Sequence, residues 1–301
     1  MKNEIIIILS LLLMPMICVT PVKADKPAPE FPVLKGKYLG QKAPGNIPQK
    51  FAPGIVSTEA FEFAGTFSPD LKVFCFTRRT TGTAKNRLML MQETGNGWTQ
   101  PVSAPFAQDL FEFEPCFAPA VKTNELYFSS ERKKPEGSKG SGTIWKVKQT
   151  AKGWEPPVYL HEPINDGFAM YVSITNSGTI YYTGQGGLFR SVYTDGKYGK
   201  GELLKIEGKG VEHMAHPFIT PDEGLLLFDA KSAGVKKNKI YVTFRQKDGS
   251  WSEAKALSDR VNLTGDEICS SISPDGKFLF FKRGGDIYWV DAKIVYDLEK
   301  K

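Results

Sequence analysis

Three glutamates recur at one offset in this chain of 301 residues. Glu62, Glu112 and Glu267 each stand six residues ahead of a short turn phrase, and further acids and histidines crowd beside them: Glu114, Asp166, Glu212, His213, His216 and Asp266. Carboxylates brought to one place can act as an acid and base pair on a glycosidic bond, hold a cation, or bind sugar hydroxyls or a basic partner. A structural use competes with these. Arg78, Arg79, Arg132, Lys282 and Arg283 end the apolar runs that follow and are placed to pair with the glutamates, and repeated positions usually repeat a structural job. The candidate ligand-binding set is therefore Glu62, Glu112, Glu114, His213, His216 and Glu267, with no catalytic residue assigned.

The histidines narrow the chemistry. In "HMAH", His213 and His216 are three apart, which on a strand puts them on opposite faces, so one ion cannot take both without a bulge. His161 falls between repeats, and the chain has no C-x-x-C pair. No cofactor and no metal site are expected, with a divalent cation among the glutamates as the lesser alternative. No G-x-S-x-G elbow occurs, and "GQGG" at Gly184–Gly187 lacks the strand–helix surroundings of a nucleotide-binding loop.

The elements that must position these residues are repeats. Five segments align on a turn: "GTFSPDLKVFCFTRR", "PCFAPAVKTNELYFSSER", "VSITNSGTIYYTGQGG", "PFITPDEGLLLFDAKS" and "SSISPDGKFLFFKRGG". Their turns begin at Ser68, Ala118, Thr175, Thr220 and Ser273. Each turn is followed by an apolar strand and a third strand ("RLMLMQE", "TIWKVKQ", "GLFRSVY", "KIYVTFR", "DIYWVDA"), and four of them by a fourth strand. Short strands rich in β-branched and aromatic residues, broken by Gly and Asn-Gly turns, specify antiparallel β-structure. Four strands per repeat of about fifty residues make the blade of a β-propeller. The last repeat lacks its fourth strand, and "NIPQKFAPGIVS" at Asn46–Ser57 resembles the missing piece. The expectation is an all-β propeller of five four-stranded blades closed by the N-terminal strand, with six blades as the runner-up.

The turn itself is expected to be architectural. Proline fixes φ, Asp accepts a hydrogen bond from the turn backbone, and Gly supplies positive φ. Asp70, Asp222 and Asp275 share one offset, where the other two repeats carry Ala120 and Ser177. In a propeller the strand before the turn is innermost, so the strand starts bearing Glu62, Glu112 and Glu267 are expected at one mouth of the central channel.

The turn before "KFLFF" followed by "DIYWV", together with "GWEPPVYLHEPIN" and the looser "SWSEAKALSDRVN", resembles the TolB-like, WD-like Pro-Asp propeller repeats, from about Phe51 to Val295. The resemblance implies a propeller in an envelope or extracellular setting and no single activity.

The ends and the composition set the surroundings. "MKNEIIIILSLLLMPMICVTPVKA" has the three-part pattern of a secretory signal peptide, with cleavage expected after Ala24. Residues 25–48 read as a Pro/Lys-rich tether and 49–301 as the propeller. The formal charge of +6 falls by one without residues 1–24 and comes from interspersed Lys and Glu, so nucleic acid is not an expected partner. Cys75, Cys116 and Cys269 sit in apolar runs as expected free thiols. The function expected is that of a monomeric, exported binding or scaffold protein, periplasmic or extracellular, with no membrane span after cleavage. Its partner would be an envelope or extracellular protein segment or an oligosaccharide. The rival is a polysaccharide hydrolase or lyase using the funnel carboxylates as acid and base.

Overall fold

Runs such as Val73–Phe76 and Leu225–Phe228 are apolar on both faces, and both are buried throughout. A strand of that kind needs a neighbour above and below, which stacked blades provide. A computed structural model describes residues 30–300 apart from 80, 81, 83, 84, 120–123, 139, 162 and 232–236. The chain divides into two units, Met1–Pro32 and Val33–Lys301. Of the first, residues 30–32 are described and have no regular structure. The signal-peptide stretch 1–24 and Ala120 lie outside the described residues.

The second unit is a five-bladed β-propeller. Blade 1 runs outward through Phe61–Phe67, Val73–Arg79 and Asn86–Thr94 to short outer pieces at Gly97–Trp98 and Val102–Ser103. Blade 2 uses Glu112–Phe117, Glu125–Ser130 and Ile144–Thr150, with outer pieces at Gly153–Trp154 and Val158–Tyr159. Blade 3 is Ala169–Ile174, Ile180–Gly184, Gly187–Ser191 and Glu202–Leu203, and blade 4 is Glu212–Ile219, Leu225–Lys231, Asn238–Phe244 and Lys255–Ala256. Blade 5 is Ile268–Ile272, Phe278–Arg283 and Asp286–Asp291, completed by Gln49–Lys50 from the other end of the chain. The closing pairs are Gln49 with Trp289 and Lys50 with Tyr288. The ring therefore closes with five blades, not six, and by the N-terminal strand as expected.

The core is a set of slabs between adjacent blades. One joins Leu88, Phe128 and Trp145 across blades 1 and 2, another joins Leu227, Val242 and Phe281 across blades 4 and 5. At the closure, Phe51 packs edge-on against Phe74, Phe280 and Trp289 with ring centroids 5.2–5.3 Å apart. Part of the stretch read as a tether, residues 34–39, packs on the blades. Trp98 donates its backbone N–H to Leu34 O and its indole N–H to Gly36 O, both at 2.8 Å, and Tyr38 and Leu39 are buried. The aromatic Tyr38 finds a larger contact among Phe67, Phe278 and Trp289 than solvent could offer, so the segment docks.

The turns behave as bricks. In blade 1 the Ser68 hydroxyl donates to Asp70 at 2.6 Å and accepts from Val73 N at 2.9 Å. Thr220 with Asp222 and Leu225 repeats this in blade 4, and Ser273 with Asp275 and Phe278 in blade 5. Asn165 and Asn262, which end the two "GW"-type phrases, do equivalent work between blades. Asn262 accepts from Ile240 N at 2.7 Å and donates to Ile240 O and Leu257 O, and Asn165 bonds Ile144 N, Ile144 O and Leu160 O in the same way.

Candidate functional site

The inner strands do not run straight. Counted back from the turns, the fourth residue of every blade has positive φ: Ala64 (50°), Glu114 (57°), Tyr171 (45°), His216 (52°) and Cys269 (54°). At the same place each strand loses register with its neighbour. A bulge turns one extra side chain out of the sheet, and around a ring of inner strands it turns five toward the axis. They meet. The His216 and Tyr171 rings lie edge to face at 5.0 Å, His216 Nε2 is 3.3 Å from Glu114 Oε1, and one ligating atom each of Glu114, His216 and Cys269 fall within 4.8 Å of one another.

The second strands supply the support. Thr77, Ser129, Thr183 and Asp229 hold one register position in blades 1 to 4, opposite Phe63, Phe113, Met170 and Ala215. Thr77 Oγ1 accepts from Glu114 N, and Thr183 Oγ1 from His216 N, both at 2.9 Å. Asp229 Oδ1 accepts from Cys269 N at 3.1 Å and also lies 2.8 Å from His216 Nδ1. A carboxylate thus stands where the other three blades carry a hydroxyl.

Burial pushes the Glu114 carboxyl up, against the pull of His216, and its Oε2 has no hydrogen-bond partner among the described residues. For His216 burial favours the neutral ring, but Asp229 and Cys269 together outweigh it and lift the imidazole well above its ordinary range. Burial pushes the Cys269 thiol up to about 12. A thiol so held is no ready nucleophile. The group can hold a proton or a cation.

The six expected residues separate three ways: two meet, three are held inside their blades, and one is exposed. Glu114 and His216 are brought together on the axis. Glu62, Glu112 and Glu267 are wholly buried, each held inside its own blade. Glu62 pairs with Arg78 at 2.8 Å, Glu267 with Arg283 at 3.0 Å, and Glu112 with Arg132. Each carboxylate also accepts from the backbone of the linker entering its blade, at Thr58 N, Gln108 N and Thr264 N. Each arginine donates to carbonyls of the same linker. His213 is exposed, because its own positive φ and a second register shift in that strand carry it away from His216. Asp229 and Tyr171 carry no expectation from the sequence, and Cys269 is expected there only as a free thiol. The offset shared with His216 and Glu114 is the signal that could have found Tyr171 and Cys269.

At the turn ends of the inner strands lies a cavity of about 360 Å³. All five blades line it. Ala64 and Tyr171 stand at its inner end, and Pro69, Pro119, Asn176, Pro221 and Pro274 of the five turns at its outer end. Between them runs a ring of Thr66, Cys116, Ser173, Phe218 and Ser271. None of the described residues lining it is charged. The sequence pointed to the strand starts; the cavity is at the other end, behind the turns. At the strand starts, Phe61, Phe113, Met170 and Ile268 pack on the cluster of Phe63, Ala64, Tyr171 and Cys269, and Phe168 is 45% exposed.

Bladed sheets around a shared axis, bulged at one level, define a five-bladed β-propeller with a polar centre. No protein-family model matches the chain, nor does any curated protein sequence. Among solved structures the chain is similar to TolB from Acinetobacter baumannii at 12% identity and TM-score 0.46, over 78% of this chain and 55% of that one, so it spans about half of TolB's length. It is also similar to an endo-arabinanase from Bacillus licheniformis (14% identity, TM-score 0.49, 78% and 94% covered). A third is a gluconolactonase from Xanthomonas campestris (10% identity, TM-score 0.45, 86% and 93% covered). Likeness at this level concerns architecture. No helix among the described residues is long and apolar enough to cross a membrane.

Proposed function

We propose that the protein is a binding propeller that takes a short neutral saccharide into the cavity behind its turns. The observation that carries this reading is the uncharged lining contributed by all five blades. A charged ligand would lose its hydration there without gaining a partner. A sugar ring presents an apolar face and hydroxyls, and the middle ring of Thr66, Ser173, Ser271 and Phe218 offers small polar groups beside one phenyl. The cavity falls in the size range of small-ligand sites. The acid and base pair of a polysaccharide hydrolase or lyase finds less support, since Glu62, Glu112 and Glu267 are each wholly buried against an arginine.

A protein segment is the second reading, favoured by the partly exposed apolar group at the strand starts, where Phe168 is 45% exposed. Export to the periplasm or beyond belongs to the same proposal and rests on residues 1–24; the N-terminus of the protein recovered from its host would test it.

Calorimetric titration with matched neutral and acidic oligosaccharides tests the ligand class. The expected result is binding of a neutral member by the parent and its loss in Ser271→Phe, which fills the cavity, with the variant still melting cooperatively. Equal binding by parent and filled variant would remove the cavity as the site.

A further inference from the structure

The bulge ring holds a set of groups that architecture does not require. Positive φ occurs at this level in all five blades, Ala64 included, so the backbone strain belongs to the blade design. The side chains do not. Blade 1 needs only a methyl group there, whereas blades 2, 4 and 5 bring a carboxyl, an imidazole and a thiol to one point on the axis. We propose that Glu114, His216 and Cys269 form a site for one divalent transition-metal ion of the zinc class, with Asp229 as the carboxylate that orients His216.

The donor set is that of a zinc site, with one oxygen, one nitrogen and one sulfur. A thiolate selects against magnesium and calcium, which take oxygen ligands. The spacing is also right. Four-coordinate zinc, with ligand bonds of about 2.0–2.3 Å, holds its donors roughly 3.3–3.8 Å apart. His216 Nε2 and Glu114 Oε1 are already 3.3 Å apart, and one ligating atom each of Glu114, His216 and Cys269 lie within 4.8 Å of one another, so a small inward adjustment closes the set. The fourth place is left to water or to a donor from a bound molecule.

Two observations independent of the cluster point the same way. The first is Asp229, which meets His216 Nδ1 at 2.8 Å. A carboxylate on one ring nitrogen holds the ring's orientation, so that a metal ion displacing the proton on the other nitrogen meets its lone pair. The same oxygen accepts from Cys269 N at 3.1 Å, so one carboxylate sets two ligands. Blades 1, 2 and 3 manage this register position with Thr77, Ser129 and Thr183, so the acid is not a requirement of the fold. The second is Glu114 itself. Its side chain is 4% exposed, and Oε2 lacks a hydrogen-bond partner among the described residues. An unmatched carboxylate oxygen in a buried site is costly, and a cation removes the cost.

The inference stands apart from the saccharide reading, since Glu114, His216 and Cys269 are not among the residues lining that cavity. Its test is a titration of the chelator-treated, purified chain with Co²⁺, followed by competition with Zn²⁺. One equivalent of Co²⁺ should bind with a thiolate-to-metal charge-transfer band and the visible absorption of four-coordinate cobalt, and Zn²⁺ should bleach both. Cys269→Ser should abolish the charge-transfer band, while Cys116→Ser should leave it intact. Asp229→Asn should weaken binding about 10- to 100-fold, as loss of a carboxylate behind a ligating histidine does. Absence of the band in the folded parent, or its persistence in a folded Cys269→Ser protein, would overturn the proposal. So would an Asp229→Asn affinity equal to the parent's. Circular dichroism melts of each variant show that the protein compared is folded.

Discussion

Glu112 and Glu114 lie two residues apart on one strand, and they have opposite surroundings. Glu112 is saturated: it faces Arg132, accepts from Ser130 Oγ at 2.9 Å and from Gln108 N at 2.9 Å. Glu114 faces an imidazole at 3.3 Å with one oxygen and nothing described with the other. The difference generalises to two regions. At the strand starts, Glu62, Glu112 and Glu267 with Arg78, Arg132 and Arg283 sew each incoming linker to its blade. At the bulge level the chain has gathered titratable groups that face one another across the axis and touch no linker. Repetition marks structure in the first region; departure from repetition marks chemistry in the second.

The largest effect expected from this contrast is on stability. Glu112→Ala strands Arg132, itself 6% exposed, and should cost about 3–5 kcal/mol, as broken buried pairs do. Glu62→Ala should cost less, because Arg78 is 18% exposed and can reach water. Urea unfolding of the two variants measures both. A cost below about 1 kcal/mol for Glu112→Ala would remove the strut from the clamp and reopen that carboxylate to catalysis.

A smaller loss is expected where a neutral side chain performs the sewing. Asn262→Ala removes three hydrogen bonds to the backbone of blade 4 and should cost about 2–3 kcal/mol at roughly one per bond. The same denaturant experiment applies, and an effect under about 0.5 kcal/mol would make Asn262 a bystander.

Glu114→Met sharpens the comparison from the other side. Replacing an incompletely paired buried acid by an apolar chain of similar length should leave stability in chelator within about 1 kcal/mol of the parent, or raise it. A loss as large as that of Glu112→Ala would place Glu114 among the struts and erase the distinction.

Much of this is legible in the sequence, and the reason is physical. Turn formation by Ser68-Pro69-Asp70 and its relatives is local, so the repeats, the blades and the closure at Gln49–Lys50 could be read from spacing alone. The arginine partners of Glu62, Glu112 and Glu267 were also visible, because each stands at or just past the end of the strand that pairs with the glutamate's own. What stayed hidden depends on bulges. Strict alternation places neighbouring strand residues on opposite faces, and the bulge at Glu114, His216 and Cys269 breaks that rule. Tyr38 was hidden for a different cause: a polar, proline-rich stretch gave no periodicity, and only the aromatic gap beside Phe278 and Trp289 shows why it docks.

The smallest effect expected lies at the turn ends and appears as a pH dependence. Glu223, on the turn of blade 4, accepts from Arg190 Nε at 3.0 Å and from Tyr181 OH at 2.8 Å, both in blade 3. Burial pushes its carboxyl up, but the hydrogen bonds from Arg190 and Tyr181 outweigh this and hold it below its usual 4.5. A carboxylate lowered in the folded state binds fewer protons there than in the unfolded chain. Its contribution is therefore complete above the unfolded value and is lost as pH falls through the folded one. Glu223→Gln should cost about 0.2–1 kcal/mol at neutral pH, as for a partly exposed pair, and should leave stability falling less steeply below pH 4.5 than in the parent. Thermal melts of parent and variant from neutral to acid pH measure the slope. Parallel curves would mean that the pair joins blades 3 and 4 without its charge, and that the turn end, like Asn262 at the linkers, is held by neutral hydrogen bonding.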